Sequence, residues 1–282
     1  MNNDLLKSHA KSFYWASFFL SKETYSKCST LYAFCRTLDD IADSSEKLEI
    51  KKQKFSKFKD DFVNRSFDSL IIKSMWEMVD DVNISEKIVL DLFDGVETDL
   101  NENVKIKTKK DLLVYSYRVA GTVGLMMSKI LKVVNKESLK GAIDLGIAMQ
   151  LTNIARDVIE DKNRNREYIE CNFSSIKEVI NNAEIFYKKS FFSISSIPIR
   201  SRFSIIVARR VYRKIGDYIL KQENIEKYIA AGKIYVPMPS KILETFLSIV
   251  DFLKLLFVKN ISHYNNENHS ILNQEINLNE RI

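Results

Sequence analysis

Seven glycines and three prolines in 282 residues leave this chain few positions at which it can turn tightly. That scarcity favours long helices over a sheet joined by many hairpins. The apolar residues recur at intervals of three and four, as in Leu112, Tyr115, Val119 and Val123, which is the period of a helix with one buried face. Hydrophobic residues make up 45% of the chain, enough for a sizeable core. The sequence therefore predicts an all-α protein.

Two acidic patterns stand within stretches that otherwise read as apolar helix. Asp39 and Asp43 lie four residues apart in the first, and Asp157 and Asp161 do so in the second. At that spacing both carboxylates of a pair project from one helical face. Carboxylates near a core repel each other and lose hydration, so a cation should compensate them. Oxygen-rich pairs favour Mg²⁺, which shares its coordination with substrate phosphates.

Other polar residues share the faces of these acidic pairs. Tyr32 and Arg36 extend the first stripe at helical steps, so Arg36 can clamp a phosphate held by the same metal. The alternative is that Arg36 pairs with a neighbouring acid. Asn153 lies one turn before Asp157, which aligns its amide oxygen with the second pair. Gln150 falls on the same face, and this favours a role in a cavity.

Charge and cysteine content narrow the class of protein. Cys28, Cys35 and Cys171 are odd in number and lack CxxC spacing, so we expect neither a zinc site nor disulfides, and a cytoplasmic protein. No secretory signal and no run of eighteen apolar residues is recognised, so we expect a protein that is soluble or lies on a membrane.

The net charge is +6, with basic runs at 51–59 and 105–110. No nucleic-acid module accompanies them, so we expect solvated faces and no nucleic-acid partner.

Four longer stretches carry a resemblance to a known family. They are KSFY at 11–14, YAFCRTLDDIAD at 32–43, YSYRVAGTVG at 115–124 and QLTNIARDVIED at 150–161. In this order, and over most of residues 8–240, the chain resembles the squalene/phytoene synthase family, and within it most of all the bacterial enzymes that form phytoene. Matches of this length are far more specific than one pair of aspartates.

The resemblance implies a single-domain isoprenoid-synthase helical bundle with a central cavity and a metal at its mouth. It implies head-to-head condensation of two geranylgeranyl diphosphates to phytoene through prephytoene diphosphate, a step of carotenoid biosynthesis. The expected cofactor is Mg²⁺, with Mn²⁺ as the alternative ion. Because loss of a proton ends the reaction, no NADPH is expected. The expected substrate is a prenyl diphosphate, and a desaturase acting on the product is a candidate partner.

Two other functions remain open. A squalene or dehydrosqualene synthase would join two farnesyl diphosphates with the same diphosphate-binding residues, so the depth of the cavity decides between them. Ala120, Gly121, Gly124 and Ala148 would leave room for a longer chain, although small residues also permit close helix packing. A non-catalytic assembly protein of the same fold is the remote alternative. It would be free to lose acidic ligands, yet both pairs are intact.

The resemblance also assigns roles to individual residues. The expected catalytic residues are Asp39, Asp43, Asp157, Asp161 and Tyr115. The expected metal ligands are the same four aspartates and Asn153. The expected substrate-binding residues are Ser12, Tyr32, Arg36, Gln150, Tyr212 and Lys233. Three of these residues have a purely structural alternative role. Ser12 could be a helix N-cap, and Tyr32 and Tyr115 could be ordinary packing aromatics.

The sequence departs from the family pattern at two places. Lys233 aligns with an arginine that grips diphosphate in the family, and lysine keeps the charge but loses the bidentate fork. The loop after the second acidic pair carries Glu170 where the family has proline, so we expect a flap that closes differently. If Lys233 is only an exposed lysine, we expect Arg213 or Arg166 to bind the diphosphate instead.

The domain organisation follows from the polarity of the chain. No linker divides residues 1–260, which we expect to form the catalytic domain. Residues 261–282 are rich in Asn and Glu without apolar periodicity, so we expect a disordered tail. Residues 244–259 are strongly apolar, and they form either a packed terminal helix or an interfacial helix. The second alternative would place the protein peripherally on the inner face of the cell membrane.

Overall fold

The computed structural model describes residues 11–258 and 267–282, and the side chains of 14–258 and 268–282. Its helices are α1 (Lys11–Ser17), α2 (Lys22–Asp43), α3 (Leu48–Val63), α4 (Leu70–Val82), α5 (Glu86–Glu97), α6 (Lys109–Ser116), α7 (Thr122–Ile130), α8 (Lys136–Asn163), α9 (Phe173–Ser190), α10 (Ile199–Leu220), α11 (Ile225–Ala231), α12 (Met238–Leu256), α13 (Glu267–Asn273) and α14 (Leu278–Arg281). Turns of 3₁₀ helix span Thr98–Leu100 and Phe192–Ser196, and a π-helical turn, Tyr117–Gly121, joins α6 to α7. The strands are β1 (Val104–Lys105) and β2 (Arg166–Glu167). The predicted all-α class is confirmed.

Helix α2 carries the first acidic pair. It begins where the Thr24 N–H donates to the Ser21 hydroxyl (3.2 Å), which caps the helix. Phe34 is fully buried, and its ring centroid lies 5.5 Å from that of Phe62 on α3 and 5.7 Å from that of Phe93 on α5. These aromatic contacts hold one face of α2 against the core. At 100° per residue, the acidic pair projects from the opposite face.

Helix α8 carries the second acidic pair and runs between other helices. The Asn135 side chain caps it by accepting from the Ser138 N–H (3.0 Å). Helices α7, α9 and α10 pack around α8, so apolar residues are buried along most of its length. It ends after Asn163, and Asn165 then reverses the chain with a left-handed backbone (φ 57). The second pair therefore lies near the C-terminus of an enclosed helix.

The π-helical turn and α7 approach α8 closely at two glycines. A Cβ atom on Gly124 would lie 2.3 Å from the Ala142 carbonyl oxygen, and one on Gly146 would lie 2.2 Å from the Ala120 carbonyl oxygen. Only glycine allows two backbones to come this close. The small residues of 120–124 therefore serve close helix packing, which was one of the two interpretations of that segment.

A two-residue parallel ladder positions the loop after α8. Val104 of β1 lies opposite Arg166 of β2, and Lys105 lies opposite Glu167. The ladder ties the loop that follows α5 to the loop that follows α8. It thereby brings Tyr168, one residue beyond β2, back toward the acidic pairs.

Helix α12 is polar on its buried side and apolar on its exposed side. Its buried residues include Glu244, Ser248 and Asp251. Arg210 of α10 donates to Glu244 Oε2 (2.8 Å) and to Asp251 Oδ2 (2.7 Å), so these carboxylates are paired. The exposed side carries Ile242, Leu243, Phe246, Ile249, Val250, Leu253 and Phe257. This polarity is the reverse of that of an ordinary surface helix.

The C-terminal residues 267–282 form α13 and α14 against the body of the protein. Three apolar residues of this segment are buried, namely Leu272, Ile276 and Leu278. The prediction of a disordered tail over 261–282 is therefore wrong for residues 267–282. Residues 261–266 lie outside the described part of the chain.

Two side-chain contacts with distant parts of the chain fasten the C-terminal segment. Arg281 donates to both carboxylate oxygens of Asp91 on α5 (2.9 and 3.1 Å), and Asp91 also accepts from the Tyr117 hydroxyl (3.0 Å). His269 Nε2 lies 2.6 Å from Asp144 Oδ1 on α8, with both side chains buried. The partners are 190 and 125 residues away along the chain, so the local composition of the tail gives no sign of them.

The close contact between the π-helical turn and α8 predicts unequal effects of two glycine substitutions. Gly146→Ala should lower the free energy of unfolding by about 1–3 kcal/mol, because the new methyl group meets a carbonyl oxygen. Gly216→Ala on α10 is the matched control: the methyl group would meet a flexible Ile180 side chain at 3.2 Å. Its better helix propensity should offset that contact by up to about 1 kcal/mol. Urea denaturation followed by circular dichroism measures both; equal destabilisation would contradict the expectation.

Candidate active site

A polar cavity of about 240 Å³ brings the two acidic pairs together. Helix α2 supplies Asp39 and Asp43, and α8 supplies Asp157 and Asp161. The cavity is also lined by Asp99, Tyr115, Gln150, Asn153, Arg156, Arg164, Arg166 and Tyr168. Carboxylates and cationic groups therefore share one small space, although they come from four separate parts of the chain.

One carboxylate of each acidic pair is held by cationic side chains. Asp43 accepts from Arg164 (2.8 Å) and from Arg166 (2.7 Å). Asp157 accepts two hydrogen bonds from the adjacent Arg156 (2.9 and 2.6 Å), and Lys233 Nζ lies 3.5 Å from Asp157 Oδ1. Charge-assisted contacts of this kind stabilise the ionised carboxylate.

The other carboxylate of each pair has a raised pKa. The Asp39 carboxylate faces the open cavity; the loss of hydration among the surrounding protein atoms, and then the charge of Asp43, raises its pKa to about 7. Burial, and then the charge of Asp157, raises the pKa of Asp161 to about 7. In both cases the loss of hydration is the larger cause of the raised pKa, and a second negative charge close by adds to it. Five aspartates face three arginines in the lining of this cavity.

Asn153 presents an unsatisfied acceptor to the cavity. Its Oδ1 atom is buried and has no hydrogen-bond partner within the described residues, while its Nδ2 atom lies 3.4 Å from Gln150 Oε1. A buried oxygen without a donor is costly, and a cation would satisfy it. Across the ranges that the structure describes, no three His, Cys, Asp or Glu side chains are close enough to hold a metal ion by themselves. The donor set fits Mg²⁺ only when other oxygens complete the coordination.

A buried cluster around Asp99 closes one side of the cavity. Tyr115 and Tyr168 both donate to the Asp99 carboxylate (2.9 and 2.5 Å), and their rings stack with centroids 4.7 Å apart. Burial raises the pKa of Asp99, although Arg166 and the two hydroxyl groups oppose that shift. Burial also raises the pKa of Tyr115 well above its ordinary value. Both hydroxyl groups therefore remain protonated and oriented by Asp99.

An apolar cavity of about 290 Å³ adjoins the polar one. Val119, Gln150 and Asn153 line both cavities, so they mark the junction. Gly124 and Ala120 line the apolar cavity, as the longer-chain interpretation requires. Gly121 and Ala148, which that interpretation also used, are buried and do not line it.

The predicted substrate-binding residues lie in different surroundings. Tyr32 and Tyr212 line the apolar cavity, and burial raises the pKa of Tyr32 to about 12. Arg36 forms an ion pair with Asp40 (2.5 Å), the alternative that the sequence left open, yet its buried Nε atom has no partner within the described residues.

The last two predicted substrate-binding residues are Lys233 and Ser12. Lys233 Nζ lies 2.6 Å from Glu160 Oε2, at the edge of the second acidic pair. Arg213, one of its two proposed substitutes, forms an ion pair with Glu184, whereas Arg166, the other, reaches Asp43. The side chain of Ser12, on α1, lies outside the part of the chain whose side chains are described.

Sequence reasoning missed four residues of the polar cavity as site candidates, namely Asp99, Arg156, Arg164 and Tyr168. A signal existed for two of them, because Arg156 lies within the stretch 150–161 and Tyr168 lies within the following loop that resembles the family. Asp99 lies in a 3₁₀ turn with no motif of its own, and the β1–β2 ladder helps to bring its surroundings to the site.

The chain is similar to known proteins over most of its length. The family model of squalene/phytoene synthases matches residues 6–169. The 15-cis-phytoene synthase of Pantoea ananas is 29% identical over 77% of this chain and 83% of its own length, and the phytoene synthase of Pseudescherichia vulneris is 30% identical over 73% and 77%. A solved dehydrosqualene synthase with a bound ligand superimposes with a TM-score of 0.72 at 25% identity, covering 89% of this chain and 94% of that one.

The chain therefore belongs to the squalene/phytoene synthase family. It is an enzyme of the prenyltransferase type, with the helical fold of the isoprenoid synthases. The resemblance found in the four sequence stretches is confirmed.

The raised carboxyl pKa values predict a pH effect on metal-free protein. Asp39 and Asp161 titrate at about 4 in an unfolded chain and at about 7 in the folded protein. Between these values the folded state binds more protons, so the free energy of unfolding falls as the pH rises. Asp39→Asn should therefore raise the Tm more at about pH 8 than at about pH 5. Thermal denaturation in EDTA measures this, with exposed Asp60→Asn as the control; equal shifts at both pH values would contradict it.

Proposed function

We propose that this enzyme joins two geranylgeranyl diphosphates head to head, forming phytoene through prephytoene diphosphate in carotenoid biosynthesis. The observation that carries the proposal is the junction of the two cavities. An apolar cavity suited to hydrocarbon chains opens, at Val119, Gln150 and Asn153, into a polar cavity with four aspartates. The names of the curated relatives, which are phytoene synthases, support the same substrate.

Asp39, Asp43, Asp157, Asp161 and Asn153 would hold Mg²⁺, or Mn²⁺, together with diphosphate oxygens. When bound, the metal neutralises the charge that develops on the leaving diphosphate. The raised pKa values of two of these aspartates and the unsatisfied Asn153 oxygen are both relieved by a bound cation.

The cationic side chains of the cavity would bind the diphosphate directly. Arg164 and Arg166 now contact Asp43, and Arg156 and Lys233 contact Asp157. With these carboxylates holding a metal, the cationic side chains would be available for phosphate oxygens, for which the planar arginine fork is well suited. Arg36, whose Nε atom lacks a partner within the described residues, is a further candidate.

The aromatic residues would act on the hydrocarbon side of the reaction. Tyr32 and Tyr212 line the apolar cavity, and Arg156 is hydrogen-bonded to Tyr212. Aromatic faces stabilise a nearby carbocation, and the largely apolar lining of the cavity disfavours water beside it. Tyr115, oriented by Asp99, would supply a hydroxyl group at the diphosphate end.

The second candidate function is condensation of two farnesyl diphosphates. It is favoured by the superposition on a dehydrosqualene synthase. The names of the curated relatives, which are phytoene synthases, argue instead for geranylgeranyl diphosphate. The remote alternative, an assembly protein, is disfavoured because both acidic pairs and Asn153 line one formed cavity.

Product analysis tests the proposed function. Purified protein with Mg²⁺, both labelled substrates and no NADPH should give a forty-carbon hydrocarbon, and EDTA should abolish turnover. Asp157→Ala should lower kcat by about 10²–10³ or more, because a metal needed in the transition state is weakened. Asp60→Ala, an exposed carboxylate on α3, is the control. A thirty-carbon product alone would favour the second candidate, and activity that survives EDTA would contradict the metal assignment.

Lys233 provides a sharper test of diphosphate binding. Lys233→Ala should lower kcat/KM by roughly 10–100-fold, the loss expected when one hydrogen bond to a charged group is removed. Lys233→Arg should retain activity, since the guanidinium keeps the charge and can hold two phosphate oxygens. Lys227→Ala is the matched control, because Lys227 pairs with Glu223 on the exposed side of α11. Unchanged kinetics of the Lys233→Ala variant would redirect the search to Arg166.

We also propose peripheral membrane contact through the apolar helix predicted at 244–259, which would place the enzyme on the cytoplasmic face of a membrane. The reversed polarity of α12 supports this proposal, because the carboxylates on its buried side already pair with Arg210. Residue 259 lies outside the described part of the chain. None of the helices within 11–258 and 267–282 is long and apolar enough to cross a membrane. A desaturase that takes up the product would meet it in the same lipid phase.

A further inference from the structure

The exposed apolar side of α12 continues onto α1 and the turn after it. Phe18 and Phe19 are 64% and 37% exposed, and Phe246 on α12 is 67% exposed. Trp15 Nε1 donates to Thr245 Oγ1 on α12 (2.9 Å), which joins the two helices directly. We call Phe18, Phe19, Phe246, Ile249, Val250 and Leu253 the apolar patch.

Helix α1 and the turn after it separate the apolar patch from the hydrocarbon cavity. Ala16, Ser17 and Leu20 line the cavity, while Phe18 and Phe19 face outward. The wall between the inside of the cavity and the surface is therefore a single layer of chain at this place. Both sides of that layer are largely apolar.

This wall lies away from the diphosphate end of the cavity. The Ser204 hydroxyl donates to the Ala16 carbonyl oxygen (2.8 Å), which places α1 against the Ser204 region of α10. Tyr212, which is hydrogen-bonded to Arg156 of the polar cavity, lies eight residues further along α10, about 12 Å at the rise of an α-helix. A product could therefore leave beside α1 without passing the aspartates.

Helix α1 has seven residues, too few for a helix that is stable by itself, so it depends on its contacts with the body. Ala16 is buried, the Trp15 side chain donates to Thr245, and the Ser204 hydroxyl donates to the Ala16 backbone carbonyl oxygen. In the turn after α1, Phe19 packs edge-on against Phe203 (4.9 Å between centroids). Moving α1 away from these contacts would uncover the cavity while the helices that carry the acidic pairs stay in place.

We propose that α1 is a gate through which the hydrocarbon product passes sideways into a lipid bilayer that covers the apolar patch. The proposal rests on the proposed function, because it needs a product without polar groups. Each methylene lowers the partition of such a product into water roughly fourfold, so release into water becomes very slow for a long hydrocarbon. A gate that opens onto lipid removes that barrier.

The bilayer is a better occupant of the apolar patch than a second copy of the chain. The patch continues through one layer of α1 to the hydrocarbon cavity, and a second copy seated there would close this path. Lys254, 63% exposed in its side chain, lies beside the apolar side of α12, where it can reach anionic headgroups. The overall charge of +6 acts in the same direction.

A disulfide across the gate tests its motion. Ala16→Cys/Ser204→Cys joins two cavity-lining residues that already share a hydrogen bond. With labelled substrate and phosphatidylcholine/phosphatidylglycerol vesicles, the oxidised variant should form about one product per enzyme in a burst and then stop. Dithiothreitol should restore wild-type turnover in the same sample. Continued turnover with the disulfide intact, verified by mass spectrometry, would overturn the gate, and so would loss of the first turnover.

A second variant decides the matter if the disulfide does not form. Vesicles should raise the steady-state rate of the wild type but not its first turnover. Phe18→Glu should reduce that stimulation about tenfold, because it places a charge in the lipid contact. Leu70→Glu, a 75% exposed leucine outside the patch, should behave as the wild type. A rate independent of vesicles, or a dimer in sedimentation velocity that Phe18→Glu dissociates, would overturn the proposal.

These outcomes separate the gate from the reaction itself. Wild-type protein that forms no hydrocarbon even in the first turnover would refute the proposed function, and the gate with it. A normal first turnover followed by release that needs no lipid would refute the gate alone.

Discussion

Mutual repulsion among carboxylates in a confined space governs much of this structure. Four aspartates from two helices and Asp99 from a third segment line one cavity of about 240 Å³. Arginines and a lysine hold two of the four, and the other two respond with raised pKa values. The protein thus stores unfavourable electrostatics at a site where a cation and a polyanion would relieve them together. Stability is reduced locally in favour of binding.

The apolar half of the site depends on how closely backbones can approach. Gly124 and Gly146 bring α7 and α8 into carbonyl contact, and the same helices then line the hydrocarbon cavity beside that contact. The π-helical turn before α7 places Val119 at the junction of the two cavities. Packing and cavity shape are therefore set by the same few small residues.

The sequence predicts what is local and periodic. The helices of both acidic pairs follow from spacing alone, and the motif order adds the family. The sequence alone could not show that Asp99 and Tyr168 meet in the site, because a two-residue ladder joins loops that are distant along the chain. The buried face of α12 could not be predicted, because periodicity shows that one face is apolar but does not show which face packs against the body. The tail was misjudged because its partners, Asp91 and Asp144, lie on other helices.

The contacts of residues 267–282 with α5 and α8 also affect the order in which the protein folds during its synthesis. Asp91 and Asp144 are buried carboxylates whose cationic or imidazole partners, Arg281 and His269, are synthesised far later. As the chain leaves the ribosome, α5 and α8 emerge long before either partner exists. Until residue 281 is released, Asp91 lacks its arginine, and until residue 269 is released, Asp144 lacks its imidazole partner. The contacts that fasten the C-terminal segment to α5 and α8 therefore form late in synthesis.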